Sequence, residues 1–88
     1  MGGVRVEIFS GPDCHLCDEA KAVLEDLRRE LDFELVEHSI HDDPELYERY
    51  RLEIPVVQID GRKAFKYRVD RDDAEERITR AQRRRSSG

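Results

Sequence analysis

Apolar and polar residues alternate through Val4-Arg5-Val6-Glu7-Ile8, a period of two that predicts a β-strand. Phe9 adds an apolar side chain on the second face, as in a central strand covered on both sides. Gly11-Pro12-Asp13 has the composition of a turn. The period then changes. Leu16, Ala20, Val23, Leu24, Leu27 and Leu31 draw one apolar stripe down a helix, while Asp18, Glu19, Lys21, Glu25, Arg28 and Arg29 fall mostly on the opposite face. Glu25 stands three and four residues before Arg28 and Arg29, a spacing that supports a helix by ion pairing. Residues 31–38 read as a second strand with Phe33 and Leu35 on one face. The intervening helix makes the two strands parallel, joined by a right-handed crossover.

Asp43 followed by Pro44 marks a second helix start, because aspartate caps and proline tolerates the first helical position. Leu46, Tyr47 and Tyr50 are its expected buried side. Ile54-Pro55-Val56-Val57-Gln58-Ile59 reads as a strand beginning at its proline, which has no N–H for a central ladder. Asp60-Gly61 signals a hairpin into an antiparallel strand over 62–67, with Phe65 and Tyr67 on one face. A last helix is expected over 70–83, capped by Asp70 with Asp73 or Asp72 with Glu75. Ala74, Ile78 and Ala81 form its thin apolar stripe. The order β-α-β-α-β-β-α predicts an α/β fold, a mixed four-stranded sheet flanked by helices. With no repeat or linker, residues 1–82 form one domain, and 83–88 are a basic tail expected to be disordered.

Composition adjusts this picture only at its edges. Eighty-eight residues make one domain with a small core. A 42% charged content predicts a heavily solvated surface, and no apolar run is long enough to span a membrane. No charged-then-apolar leader is visible, so a cytoplasmic protein without a membrane partner is expected. The net charge of −5 disfavours nonspecific nucleic-acid binding. Arg80, Arg83, Arg84 and Arg85 gather cations at the end of the last helix, where they suit its negative pole. A solvated helix end is the simpler reading than a phosphate or acidic-partner site.

The chain has 2 cysteines, Cys14 and Cys17, between the first strand and the first helix. That count excludes a disulfide-rich scaffold. A bridge closing so small a loop constrains the unfolded chain little, so redox exchange explains the pair better than stapling. Cys-x-x-Cys at a strand-to-helix junction is a redox signature. Unpaired N–H groups and the dipole at the helix start favour a thiolate on Cys14. Cys17, one turn further in, is placed to resolve a mixed disulfide formed there. A protonated His15 would favour the thiolate, whereas Asp13 and Asp18 oppose it. A zinc set of Cys14, Cys17, His15, His38 and His41 lacks a second knuckle, so no metal is expected. Lys66 and Arg68 read as solvated strand ends.

Three stretches together resemble the glutaredoxin-like members of the thioredoxin-like superfamily: Phe9 through Cys17, Tyr50-Arg51-Leu52-Glu53-Ile54-Pro55-Val56-Val57, and Asp60-Gly61. The resemblance covers about residues 4–82. It implies a thioredoxin-like fold with Cys14 and Cys17 as catalytic dithiol. Composition alone predicts a trans bond before Pro55, whereas the resemblance implies a cis-proline facing the cysteines. It also implies that the Ile54 backbone pairs with an extended substrate, that Tyr67 lines the groove, and that Asp70 matches a family aspartate. The motif departs from the family in Cys-His-Leu-Cys for Cys-Pro-Tyr-Cys, Gly11 for a lysine, Glu53-Ile54-Pro55 for Thr-Val-Pro, and Lys66-Tyr67 for a glycine pair. In the family those elements hold glutathione, so their replacement counts against glutathione as reductant and against a shared iron–sulfur cluster.

The expected function is thiol–disulfide oxidoreduction on a disulfide-containing protein or a small thiol substrate. A reductase or glutathione would supply electrons, with no bound cofactor and a monomeric chain. The alternatives are a monothiol route on glutathione mixed disulfides, and a non-enzymatic binding module with the same fold.

Overall fold

The computed structural model describes residues 3–87. In chain order it forms β1 (Val4–Ser10), α1 (His15–Arg28), β2 (Phe33–Ser39), a 3-10 turn (Ile40–Asp42), α2 (Pro44–Tyr50), β3 (Val56–Ile59), β4 (Arg62–Lys66) and α3 (Arg71–Ser87). The sheet order is β2-β1-β3-β4. β1 runs parallel to β2, with Val4 opposite Phe33 and Ser10 opposite Ser39. It runs antiparallel to β3, with Val6 opposite Ile59 and Phe9 opposite Val56. β3 and β4 form the hairpin expected from Asp60-Gly61. Both turn residues have positive φ, 51° and 83°, as a type I′ turn requires. The α/β architecture expected from the order of periods, a mixed four-stranded sheet flanked by helices, is therefore the observed one.

Side-chain alternation along β1 places a core on each side of the sheet. Val4, Val6 and Ile8 pack with Leu24 and Leu27 of α1 and Ala74 and Ile78 of α3. Phe9 faces the other way, with Ile40, Tyr50 and Val56. This is why the strand is apolar on both faces near its C-terminal end. Among the described residues no helix is long and apolar enough to cross a membrane.

The observed boundaries differ from the expected ones for identifiable reasons. Leu31 is not in β2: its N–H closes the end of α1 on the Leu27 carbonyl at 2.8 Å, and the strand begins at Phe33. Pro55 has no N–H for the ladder and precedes β3, which begins at Val56. The Ile54–Pro55 bond is cis. Tyr47 is 41% exposed, not buried. Leu46 and Tyr50 lie one helical turn apart on the inward face, and Tyr47 is turned outward against His41. Tyr67 lies just past β4 with φ 71°.

The basic end is also different. Instead of a disordered tail from Arg83, α3 continues to Ser87, while Gly88 lies outside the described residues. Two distant tethers hold this part of the helix. Gln82 Nε2 donates to the Asp32 carbonyl at 2.7 Å. Arg85 grips Asp60 through two bonds, Nη2 to Oδ1 at 2.8 Å and Nε to Oδ2 at 3.1 Å.

Candidate active site

β1 delivers the chain to the cysteines through Ser10, a buried polar residue. Its hydroxyl lies 3.3 Å from Glu37 Oε2 on β2, and Glu37 pairs with Lys21 Nζ of α1 at 2.8 Å. The Glu37 hydrogen bond raises the Lys21 ammonium above its ordinary pKa, against a smaller opposing effect of burial. These bonds tie β1, β2 and α1 together around the motif.

The next two turns of geometry set the loop. A Cβ on Gly11 would stand 3.1 Å from Ile54 Cδ1 and 3.3 Å from His41 Cδ2. Only a residue without a side chain fits that close approach unmoved. Asp13 adopts φ 55°, a left-handed conformation that aspartate tolerates better than most residues.

Cys14 then occupies the N-cap of α1, in an extended conformation. Its Sγ accepts the Cys17 N–H at 3.1 Å, and its carbonyl accepts the Asp18 N–H at 3.1 Å. The sulfur therefore takes one of the N–H groups that the helix start leaves without a backbone partner. A negative charge on that atom would be stabilised by the same donor and by the helix dipole. Cys14 and Cys17 are joined as a disulfide, with Cα atoms 5.2 Å apart. Cys14 is half-buried, whereas Cys17 is only 2% exposed. His15, the first helical residue, points to the exposed side.

The second half of the site comes from beyond α2. A side chain on Gly11 would meet Ile54, so the residue before Pro55 lies close beside the loop that carries Cys14. Pro55 itself is fully buried. Its carbonyl accepts the Tyr67 N–H at 2.9 Å, which sets Tyr67 beside it with a 45% exposed side chain. The Ile54 N–H is already used by the Tyr50 carbonyl at 3.1 Å. Asp70 serves α3: its carboxylate accepts the Asp73 N–H at 3.4 Å and its carbonyl the Ala74 N–H at 2.9 Å.

His41, whose sequence context suggests only a metal ligand, forms part of the wall behind Gly11, its ring tilted by 59° against Tyr47 with centroids 5.1 Å apart. No local pattern reports that contact, since the two residues meet through the fold. His38 is engaged elsewhere, at 2.7 Å from Glu7 Oε2 and stacked 4.8 Å from Phe9. Among the described residues, no three His, Cys, Asp or Glu side chains group as a metal site.

The model of the glutaredoxin-like domain (DUF836) matches residues 5–79. The chain belongs to this glutaredoxin-like family. A glutaredoxin-like protein from Dictyostelium discoideum, the YDR286C homolog, is 28% identical over 75 residues, spanning 78% of this chain and 69% of that protein. The X-ray structure of the structural-genomics target XcR50 from X. campestris superimposes with TM-score 0.69 at 28% identity, covering 85% of this chain and 96% of that one. A mutant thioredoxin from Halobacterium salinarum shares the fold, with TM-score 0.71 at 19% identity over 92% of this chain and 76% of that one. A glutaredoxin-like fold carrying a Cys-x-x-Cys pair at disulfide distance supports a redox function.

Proposed function

We propose that this chain is a dithiol–disulfide oxidoreductase that reduces disulfides in proteins or small molecules through Cys14 and Cys17. The observation that carries the reading is the N-cap sulfur: Cys14 Sγ accepts the Cys17 N–H at 3.1 Å while Cys17 is sealed beneath it. In the reduced protein, the Cys14 thiolate attacks one sulfur of a client disulfide. A mixed disulfide forms and the other client sulfur leaves as a thiolate. Cys17 loses its proton to solvent and attacks Cys14 Sγ, releasing the second client thiolate. One sulfur–sulfur bond has broken in the client and one has formed in the protein. Two electrons have passed to the client, whose thiolates take protons from solvent. An external thiol or dithiol reductant resets the pair, and no bound cofactor is needed.

The client lies along Ile54 and Pro55. Because the Ile54 N–H is committed to Tyr50, the Ile54 carbonyl is the backbone group that accepts from the client. Tyr67 supplies an exposed aromatic wall beside Pro55. Asp70 is left to hold α3. Gly11 offers no side chain to a glutathione carboxylate, which favours a dithiol reductant over glutathione.

Alkylation of the reduced protein, followed residue by residue across pH, tests the assignment. Cys14 reacts well below the ordinary thiol range near about pH 8.5, and Cys17 reacts far more slowly. Equal, slow labelling of both cysteines would sink the proposal. A Cys17→Ser variant should accumulate a mixed disulfide with its client on Cys14.

A further inference from the structure

At the far end of the sheet from the cysteines, α3 and β4 enclose an open groove of about 470 Å³. That volume lies within the range of about 300–1,000 Å³ common for binding clefts. Its apolar floor comes from Ile59, Ala64 and Ala81. Its walls carry Arg62 and Lys63 from β4 and Arg77, Arg80 and Arg84 from one face of α3. Arg85 closes one end, and the single carboxylate in the lining is Asp60.

The charge of that carboxylate is already taken. Asp60 Oδ1 accepts Arg85 Nη2 at 2.8 Å and the Arg5 N–H at 3.0 Å, and Oδ2 accepts Arg85 Nε at 3.1 Å. The acidic partners of three other cations stand outside the lining: Asp73 for Arg77, Glu76 for Arg80 and Glu53 for Lys63. These are exposed pairs that exchange at little cost. Guanidinium groups suit carboxylates because they are planar, weakly hydrated and able to donate two bonds at once.

We infer that this groove docks a short acidic segment of a partner protein, lying extended along β4. Three observations select that occupant. Among the described residues β4 is the edge strand of the sheet, with no strand paired on its outer side, so its outer backbone groups can accept an added one. The floor provides apolar contact between the cations, which fits side chains alternating between acidic and apolar. The chain as a whole has a net charge of −5, so the basic groove is an island. A long nucleic acid would run onto the acidic surroundings, whereas a short segment ends within the groove. The site goes beyond the dithiol chemistry and does not depend on it.

The test is fluorescence anisotropy of the full chain with three labelled probes. One is a peptide alternating glutamate and valine, one its glutamine counterpart, and one a single-stranded oligonucleotide of equal charge. The glutamate peptide binds, weakens as salt rises from low to physiological strength, and binds at least about tenfold tighter than either other probe. Arg62→Glu combined with Arg84→Glu reduces its affinity at least about tenfold and leaves the rate of disulfide reduction unchanged. If that pair unfolds the chain, Arg62→Gln with Arg84→Gln makes the same comparison in the same direction. Absence of glutamate-peptide binding overturns the inference, as does equal binding of the glutamine peptide. Tighter binding of the oligonucleotide, or full affinity in the folded variants, also overturns it.

Discussion

Asp13 places a carboxylate next in sequence to the attacking sulfur while holding φ at 55°. The charge opposes a thiolate on Cys14, whereas the conformation is needed for the turn. Asparagine separates the two roles, because it also tolerates the left-handed region and carries no charge. Asp13→Asn should therefore shift the pH profile of Cys14 alkylation downward by roughly 0.3–1 unit, with the fold unchanged by circular dichroism. Tyr67 presents the opposite trade. Its φ of 71° is strained for a bulky residue, at a cost of about 1–2 kcal/mol. Glycine accepts that conformation but gives back about 0.5–1 kcal/mol through the entropy of the unfolded chain. Tyr67→Gly should leave the thermal midpoint level or slightly raised, and should raise KM for a protein disulfide if the ring is the client's wall. The tyrosine exchanges conformational ease for aromatic surface.

At the scale of the element, α1 depends on a cysteine for a task that serine or aspartate usually performs. Cys14 is both its cap and the reactive sulfur. Under reducing conditions the capping role can be measured alone by comparing Cys14→Ser with Cys14→Ala. Serine keeps an acceptor for the Cys17 N–H, whereas alanine leaves that donor to water, at a cost of about 1 kcal/mol. The alanine variant should unfold about 4–8 °C lower than the serine variant. Equal midpoints would mean that the 3.1 Å bond contributes nothing to the helix. α3 shows a different dependence. Its last turns are held by Asp32 and Asp60, residues remote in sequence, rather than by its own thin apolar stripe.

For the whole molecule, the Asp60–Arg85 tether makes stability sensitive to acid. The Arg85 hydrogen bonds, then the Arg5 N–H, hold the Asp60 carboxyl below its ordinary pKa, with burial opposing them. A depressed folded pKa means that the unfolded chain binds the proton more readily. The stabilisation is complete above the unfolded value near about 3.9 and disappears as pH falls through the lower folded value. Asp60→Asn should lower the midpoint at neutral pH by about 2–5 °C. The difference should close as pH is taken below about 4, which parallel melts of the two proteins would show.

Local periods made much of this molecule legible: the alternation of β1, the stripe of α1, the Asp43-Pro44 start of α2 and the Asp60-Gly61 hairpin. The cysteine pair was legible for the same reason, being contiguous. Leu31 closes α1 rather than opening β2, a choice the period does not make because one apolar residue at a junction fits either element. The end of α3 and the packing of His41 and Ile54 on Gly11 were hidden, because each joins residues that only the finished fold brings together.

β1 also acts as a ruler. Arg5, whose carbonyl accepts the Asp60 N–H beside the groove, and Ser10, which ends the strand and leads to the cysteines, mark the two sites along it. Five strand steps separate them, about 17 Å. A client bearing both an acidic segment and a disulfide must bridge at least that distance, so about five extended residues is the shortest linker that lets one molecule engage both. Below that length the two sites compete for the client. Just above it, tethering raises the local concentration of the disulfide at Cys14, and the advantage fades as the linker lengthens. The separation along one strand would thus select clients by the spacing of their parts, independently of the sequence around the disulfide.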